Sequence, residues 1–312
     1  MCESDFPKIA LVAVGGISRA ILCDLIWSLP FINRTIAINT DADALLRVKA
    51  DHKVLVGDGK KLPRQALAAQ LLAQTHIPQI KEAVAGLDMA LIAVGMGGAA
   101  GSGISPVVSQ VLRQQNILTL GFTTSPFSFE GTRRHQNALS GIRELSVQAD
   151  ALLPVRNSEL EQVVHENATL ESVMMHAPLA FVQLCRCITN AVHIQGCNIG
   201  IQFKDLRHIL FEQTGDCAFG FGSASGECGA EAAAQQAIEY LFLGQRRLQR
   251  ATAALVSIEA APNALYLRDT KNIMTMVGSR LPAKACLGYS TVSTRPDDQH
   301  DFRVSIFASG IL

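Results

Sequence analysis

Aromatic residues are scarce in this chain of 312 residues, with one tryptophan and three tyrosines, and there is no net charge: 27 Lys and Arg balance 27 Asp and Glu. Surfaces that bind nucleic acid concentrate cations, so the balance excludes a basic footprint of that kind. No segment stays apolar for the length that spans a bilayer. The N-terminus, from Met1 to Pro7, is too short and too acidic for a signal peptide. Eight cysteines, at 2, 23, 185, 187, 197, 217, 228 and 286, form no C-x-x-C pair. Neither they nor the eight dispersed histidines show zinc-ligand spacing, so no metal site is expected. The thiols read as reduced and mostly buried, in a cytosolic protein. Repeats, low-complexity tracts and a disordered tail are also missing.

What is present is a globular composition, 48% hydrophobic and 17% charged, in a chain long enough for one large or two ordinary domains. Its most informative stretch runs from Gly95 to Pro106 and places five glycines within residues 95–103. An apolar run, Met89 to Val94, precedes it, and a helical pattern from Val107 to Arg113 follows. A buried strand feeding a glycine-rich turn into a helix builds an anion site. Backbone N–H groups point inward where no Cβ intrudes, and the helix N-terminus adds partial positive charge. Ser105 is expected to cap the helix and Pro106 to occupy its first turn.

Similar junctions recur along the first half. Lys8 to Val14 reads as a strand ending in Gly15, Gly16, Ile17, Ser18 and Arg19, with a helix from Ala20 to about Ser28. The dinucleotide pattern G-x-G-x-x-G is not met there. Arg34 to Ile38 is a strand followed by Asn39, Thr40 and Asp41, polar residues where open α/β sheets bind ligands. Residues 53–56 form a short strand, and the turn from Gly57 to Lys61 lacks P-loop spacing. Helices are expected from about Pro63 to Thr75 and Pro78 to Ala85. A strand from Ile117 to Phe122 precedes a loop from Thr123 to Arg134 and a helix to about Val147, and Ala151 to Val155 is the next strand. This alternation implies a mostly parallel sheet covered on both faces.

The second half begins with a short helix at Asn157 and a long one from Leu170 to about Val192, which Pro178 should kink or split. A loop from Gly196 to Asp205 leads into a helix over Leu206 to Leu210. Strands follow at Asp216–Gly222, Ala253–Ile258, Ala285–Val292 and Phe302–Ala308, with helices at Gly226–Gln249 and Arg268–Arg280. They suggest a smaller α/β domain from about residue 213.

Taken in order, these residues resemble the FtsZ/tubulin superfamily of filament-forming GTPases. Gly97, Gly98, Ala99, Ala100, Gly101, Ser102 and Gly103 resemble its G-G-G-T-G-T-G signature, followed by an Ile-Ser-Pro-Val-Val continuation similar to the FtsZ branch. Pro126 to Arg134 is similar to the P-F-x-F-E-G-x-x-R loop, Ile36 to Asp41 to an A-I-N-T-D strand end, and Gly222 to Glu227 to a G-x-A-x-G-E helix start. The strand from Phe302 to Gly310 matches as well. The resemblance covers nearly the whole chain and implies a parallel-sheet nucleotide-binding domain over 1–168, a central helix and catalytic-type loop over 169–212, and an activation-like domain over 213–312. It also implies a cytoplasmic cell-division cytoskeleton. Subunits would stack head to tail, one holding nucleotide and the next supplying an acidic loop that polarises water.

Carried over by position, the phosphate site comprises Gly97 to Gly103, with Gly15, Gly16 and Arg19 from the first loop. Asn39 and Thr40 belong to a contacting loop, Glu130 and Arg134 to the ribose and phosphate side, and Asn157 to the base. Four departures stand beside them. The first glycine loop is shorter and bulkier, with Ile17 and Arg19, although Arg19 can itself pair with a phosphate. The loop that senses the terminal phosphate is Ala66 to Gln70 without glycine. Met174, Pro178 and Leu179 stand where an aromatic residue and an Asn-Asp pair read guanine. The acidic loop keeps Asp205 but has Gln202 for its first acid; Asp205 is either catalytic or the N-cap of the next helix. The ligand implied is GTP or GDP with Mg²⁺, and an empty pocket is the other outcome these departures leave open. Two functions follow: a head-to-tail polymer with slow or lost hydrolysis, or a non-enzymatic regulator that co-assembles with a true FtsZ. No tether peptide is expected after Leu312, and hence no direct membrane attachment by that route.

Overall fold

The computed structural model describes residues 6–25, 29, 31–59, 65–163, 167–193, 199–211, 215–240, 242–293, 297 and 299–311. The end of the first expected helix (26–28), Lys60 and Lys61 of the turn, residues 196–198 of the loop, Cys2 and Cys197 lie outside them. Two compact units are present, one of residues 7–182 and the other of Phe6 with residues 183–312.

In the first unit, apolar runs become strands buried on both faces. They are β1 (Ile9–Val14), β2 (Arg34–Asn39), β3 (His52–Leu55), β4 (Met89–Gly95), β5 (Leu118–Ser125) and β6 (Ala151–Arg156). They form one sheet in the order β3-β2-β1-β4-β5-β6, every pair parallel, with Val12 opposite both Ile36 and Ile92. A strand in such a sheet has no solvent face, which is why all six positions of β1 are buried.

Helices cover this sheet: α1 (Ala42–Leu46), α2 (Ala66–Thr75), α3 (Ile77–Ala83), α4 (Ala99–Gln114), α5 (Thr132–Gln148), α6 (Asn157–Val163) and α7 (Leu170–Val192). Helix α4 begins well before the expected place. Gly98 is its N-cap, Ser102 N–H donates to the Gly98 carbonyl (3.0 Å), and Ser105 and Pro106 lie inside it. Ser105 therefore caps nothing; its hydroxyl donates to the Gly101 carbonyl one turn earlier at 2.7 Å. Pro178 does not split α7, which runs unbroken for 23 residues. One proline removes one backbone hydrogen bond, here the one the Met174 carbonyl would accept. The buried side chains of Ala177, Ala180, Phe181 and Leu184 hold the helix on both sides of it, and Phe181 packs on Phe122 of β5 with ring centroids 5.1 Å apart.

The second unit contains α8 (Phe203–Phe211), β7 (Asp216–Ala224), α9 (Gly229–Glu239), α10 (Gly244–Leu248), β8 (Ala253–Ala260), α11 (Leu267–Gly278), β9 (Cys286–Ser293) and β10 (Phe302–Ile311). Its sheet has the order β7-β10-β8-β9, with β10 antiparallel to both neighbours and β9 parallel to β8. The single alanine-rich helix expected over Gly226–Gln249 is two helices. Tyr240 leaves helical geometry (ψ 137°), and its ring packs on Phe221 with centroids 4.6 Å apart. Asp205 is the third residue of α8 and so is not its N-cap; its N–H donates to the Gln202 carbonyl at 2.9 Å. The thiols are less buried than expected: of six described, Cys185, Cys187 and Cys217 are buried, while Cys228 and Cys286 are exposed.

An ion cluster is buried in this unit. Glu259 of β8 faces Arg186 of α7 (3.5 Å) and Arg303 of β10 (3.9 Å), and Arg303 also reaches Asp297 at 2.7 Å. Burial pushes the Glu259 carboxyl above its ordinary value, and the two guanidinium groups oppose that shift.

Candidate functional site

The direction of strand addition reverses between β1 and β4, and in open parallel sheets ligands bind outside the strand carboxyl ends at such a switch point. A cleft of about 1050 Å³ lies there, lined from the loops after β1, β2, β4, β5 and β6 and from one face of α7. Its size is at the upper end of small-molecule sites.

The turn between β4 and α4 is shaped by contacts that leave no room for side chains. Gly97 has φ +98°, and a Cβ on it would stand 2.6 Å from the Pro126 ring and 3.1 Å from the Arg134 carbonyl. Its N–H donates to Ser102 Oγ (2.9 Å), and its carbonyl accepts from Asn137 Nδ2 (3.2 Å). A Cβ on Gly101 would stand 2.1 Å from the Gly95 carbonyl oxygen. The first turn of α4 thus folds back against its own strand, and Gly98, Ala99, Ala100 and Gly101 line the cleft. The first N–H groups of a helix have no partner within it, and a 16-residue helix adds its dipole, so this turn attracts an anion.

Side chains around the turn are positioned in turn by their neighbours. Asn39 Oδ1 accepts from the N–H groups of Thr40 (2.8 Å) and Asp41 (3.3 Å), and Asp41 caps α1 by accepting from Ala44 N–H (3.0 Å). Glu130 accepts from Phe127 N–H (2.8 Å) and pairs with Arg134 Nε (2.8 Å). Arg19, exposed at the cleft, has no hydrogen-bond or ion-pair partner among the described residues.

Most of the residues singled out from sequence come together here. Gly16, Arg19, Asn39, Thr40, Gly98, Ala99, Ala100, Gly101, Glu130, Arg134 and Asn157 all line the cleft. Gly15, Gly97, Ser102 and Gly103 do not line it and act from behind. Gly15 lies against the Gly101 backbone, Ser102 holds Gly97, and Gly103 faces the Ala66 carbonyl of α2. Gln202 and Asp205 belong to the other compact unit, where both are exposed at the start of α8. Ala66 to Gln70, where the resemblance implied a loop that senses the terminal phosphate, forms the first turns of α2, within the helix expected from Pro63 to Thr75, and is absent from the cleft lining. Of the three residues at the base-reading positions, Met174 and Pro178 line the cleft and Leu179 does not. Sequence reading missed Thr124 and Ser125, which the end of β5 brings to the cleft, and Glu171 and Met175 on α7. Their signal was available: strand-end polar residues for the first pair, helical spacing from Met174 for the second.

A family model described as the Tubulin/FtsZ family, GTPase domain, matches residues 28–165. The cell division protein FtsZ 2 of Rhizobium meliloti is 29% identical over 98% of this chain and 88% of its own length. FtsZ of Haemophilus influenzae is 32% identical over 88% of this chain. Among solved structures, an FtsZ dimer of M. jannaschii superposes with a TM-score of 0.88 at 26% identity, covering 99% of this chain and 90% of that one. The chain is an FtsZ-like member of the tubulin/FtsZ superfamily.

As an FtsZ-like chain it belongs to a family of cell-division cytoskeletal proteins. It spans 66% of the H. influenzae protein and 52% of R. meliloti FtsZ 1, so the matched region is only part of those longer relatives. CetZ2 of Haloferax volcanii, at 17% identity and a TM-score of 0.77, shares the fold. No helix among the described residues is long and apolar enough to cross a membrane.

Proposed function

We propose that the cleft binds a guanine nucleotide, with its phosphates on the backbone of Gly98 to Gly101 and beside Arg19, and that the chain stacks head to tail into a filament. The observation that carries this reading is the glycine turn. A Cβ at Gly101 would collide with the Gly95 carbonyl, so the first turn of α4 packs directly on the end of its own strand, with the N-terminus of a long helix at the cleft. No cluster of three metal-ligating side chains occurs among the described residues, so a Mg²⁺ ion would take most of its ligands from phosphate oxygens and water.

Within this reading the parts keep the division 1–168, 169–212 and 213–312, with Asp205 and Gln202 supplied to the nucleotide of the next subunit. Gln202 orients water by hydrogen bonding but carries no charge, so hydrolysis is slow. The same substitution supports a second reading, a non-enzymatic subunit that co-assembles with another FtsZ and weakens its filament. Turnover separates the two. GTP hydrolysis that rises more steeply than protein concentration, is lost in Asp205→Ala and accompanies pelletable polymer supports the first. A complete lack of turnover, with altered polymer of a partner FtsZ, supports the second. A chain that stays monomeric with GTP and leaves a partner's polymer unchanged contradicts both.

A further inference from the structure

Three carboxylates line the cleft, and two are already committed. Asp41 is engaged by Ala44 N–H, and Glu130 by Phe127 N–H and Arg134. The third, Glu171, has no hydrogen bond or ion pair among the described residues. It belongs to a helical stripe, since positions 171, 174, 175 and 178 recur at i, i+3, i+4 and i+7 and all line the cleft. Met174 on that stripe and Leu170 beside it are each 57% exposed. An uncovered apolar shelf with one uncommitted carboxylate has a definite complement: a flat ring whose edge offers two adjacent N–H donors. Thioether side chains pack well against aromatic rings. A carboxylate accepts two parallel N–H bonds, as it does from a guanidinium group. The stripe carries no cation, so the phosphates belong elsewhere in the cleft.

We propose that Glu171 sets the choice of base, its carboxylate accepting from N1–H and the N2 amino group of guanine while Met174 and Met175 carry the ring. This rests on the nucleotide reading above and deepens it. Adenine turns a ring-nitrogen acceptor toward the same carboxylate, which is repulsive, and hypoxanthine offers one donor where guanine offers two. Met174, Met175 and Pro178 can donate or accept no conventional side-chain hydrogen bond, so Glu171 is the stripe's polar contact for a base edge.

The test is competition of GDP, IDP and ADP against a ribose-labelled fluorescent GDP on the full chain and on Glu171→Gln and Glu171→Ala. In the wild type GDP should compete about ten-fold or more better than ADP, with IDP between them. Glu171→Gln should collapse that preference, because an amide pairs with the donor and acceptor edge of adenine. Both variants should melt as the wild type does, since Glu171 is exposed. A purely structural role at the helix N-terminus would instead lower the melting temperature and leave the GDP/ADP ratio alone, which would overturn the proposal. Equal competition by GDP and ADP in the wild type would overturn it while leaving the phosphate site standing. If the labelled GDP does not bind at all, the nucleotide reading falls and this inference with it.

Discussion

Gly98 and Gly101 stand three positions apart in one turn, yet a methyl group meets very different surroundings at each. At Gly98 a Cβ would find nothing within 4 Å, whereas at Gly101 it would press on the Gly95 carbonyl. Backbone cannot swing aside as a flexible side chain does, so Gly101→Ala should cost about 2–3 kcal/mol. Gly98→Ala should cost less than about 1 kcal/mol, the difference between two residues at an N-cap. Urea unfolding of the two variants checks the contrast. The same turn shows what sequence could and could not tell. Five glycines announced an anion site, but glycine's poor helix propensity placed the helix start too late. Gly101 and Gly103 are helical because Gly95 and Ala66 press so closely that only glycine fits, a tertiary cause that no local pattern displays.

At the scale of elements, the six strands of the first sheet were legible because burial on both faces leaves an uninterrupted apolar run. The continuity of α7 was not, since Pro178 is a local signal and the apolar contacts that override it come from elsewhere in the chain. Where α7 ends, His193 is buried, its ring stacked on Phe6 with centroids 5.0 Å apart. Burial lowers its pKa below the ordinary value near 6.5, and the Thr189 carbonyl only partly opposes this. The unfolded chain therefore takes up the proton first. Stability from His193 is complete above about pH 6.5 and is lost as pH falls through the lower folded value. Asp51, held below its ordinary range mainly by the Thr35 N–H, loses its contribution only at lower pH still. Melting temperatures between pH 7.5 and 5 should fall for the wild type. In His193→Phe that limb should flatten, and an unchanged slope would place the titrating group elsewhere.

For the whole molecule, the superfamily was legible because its motifs lie in ligand-facing loops, where chemistry restricts the residue types. The 3-2-1-4-5-6 strand order also occurs in dinucleotide-binding folds, so order alone does not decide the ligand. The position of the glycine turn does distinguish them, since it follows β4 and not β1. The two-unit division at residue 182 could not be read locally, because it falls inside an uninterrupted helix.

A ligand that binds only the folded chain adds RT ln(1 + [L]/Kd) to its stability, so nucleotide in the cleft has a global consequence as well as a local one. The most direct test is a calorimetric titration of the nucleotide-stripped full chain with GDP, repeated on Arg19→Ala. The account predicts one saturable site per chain, weakened about ten-fold by loss of the arginine, which can form a charge-assisted bond to phosphate. No saturable heat at millimolar GDP, or binding that ignores Arg19→Ala, would contradict it.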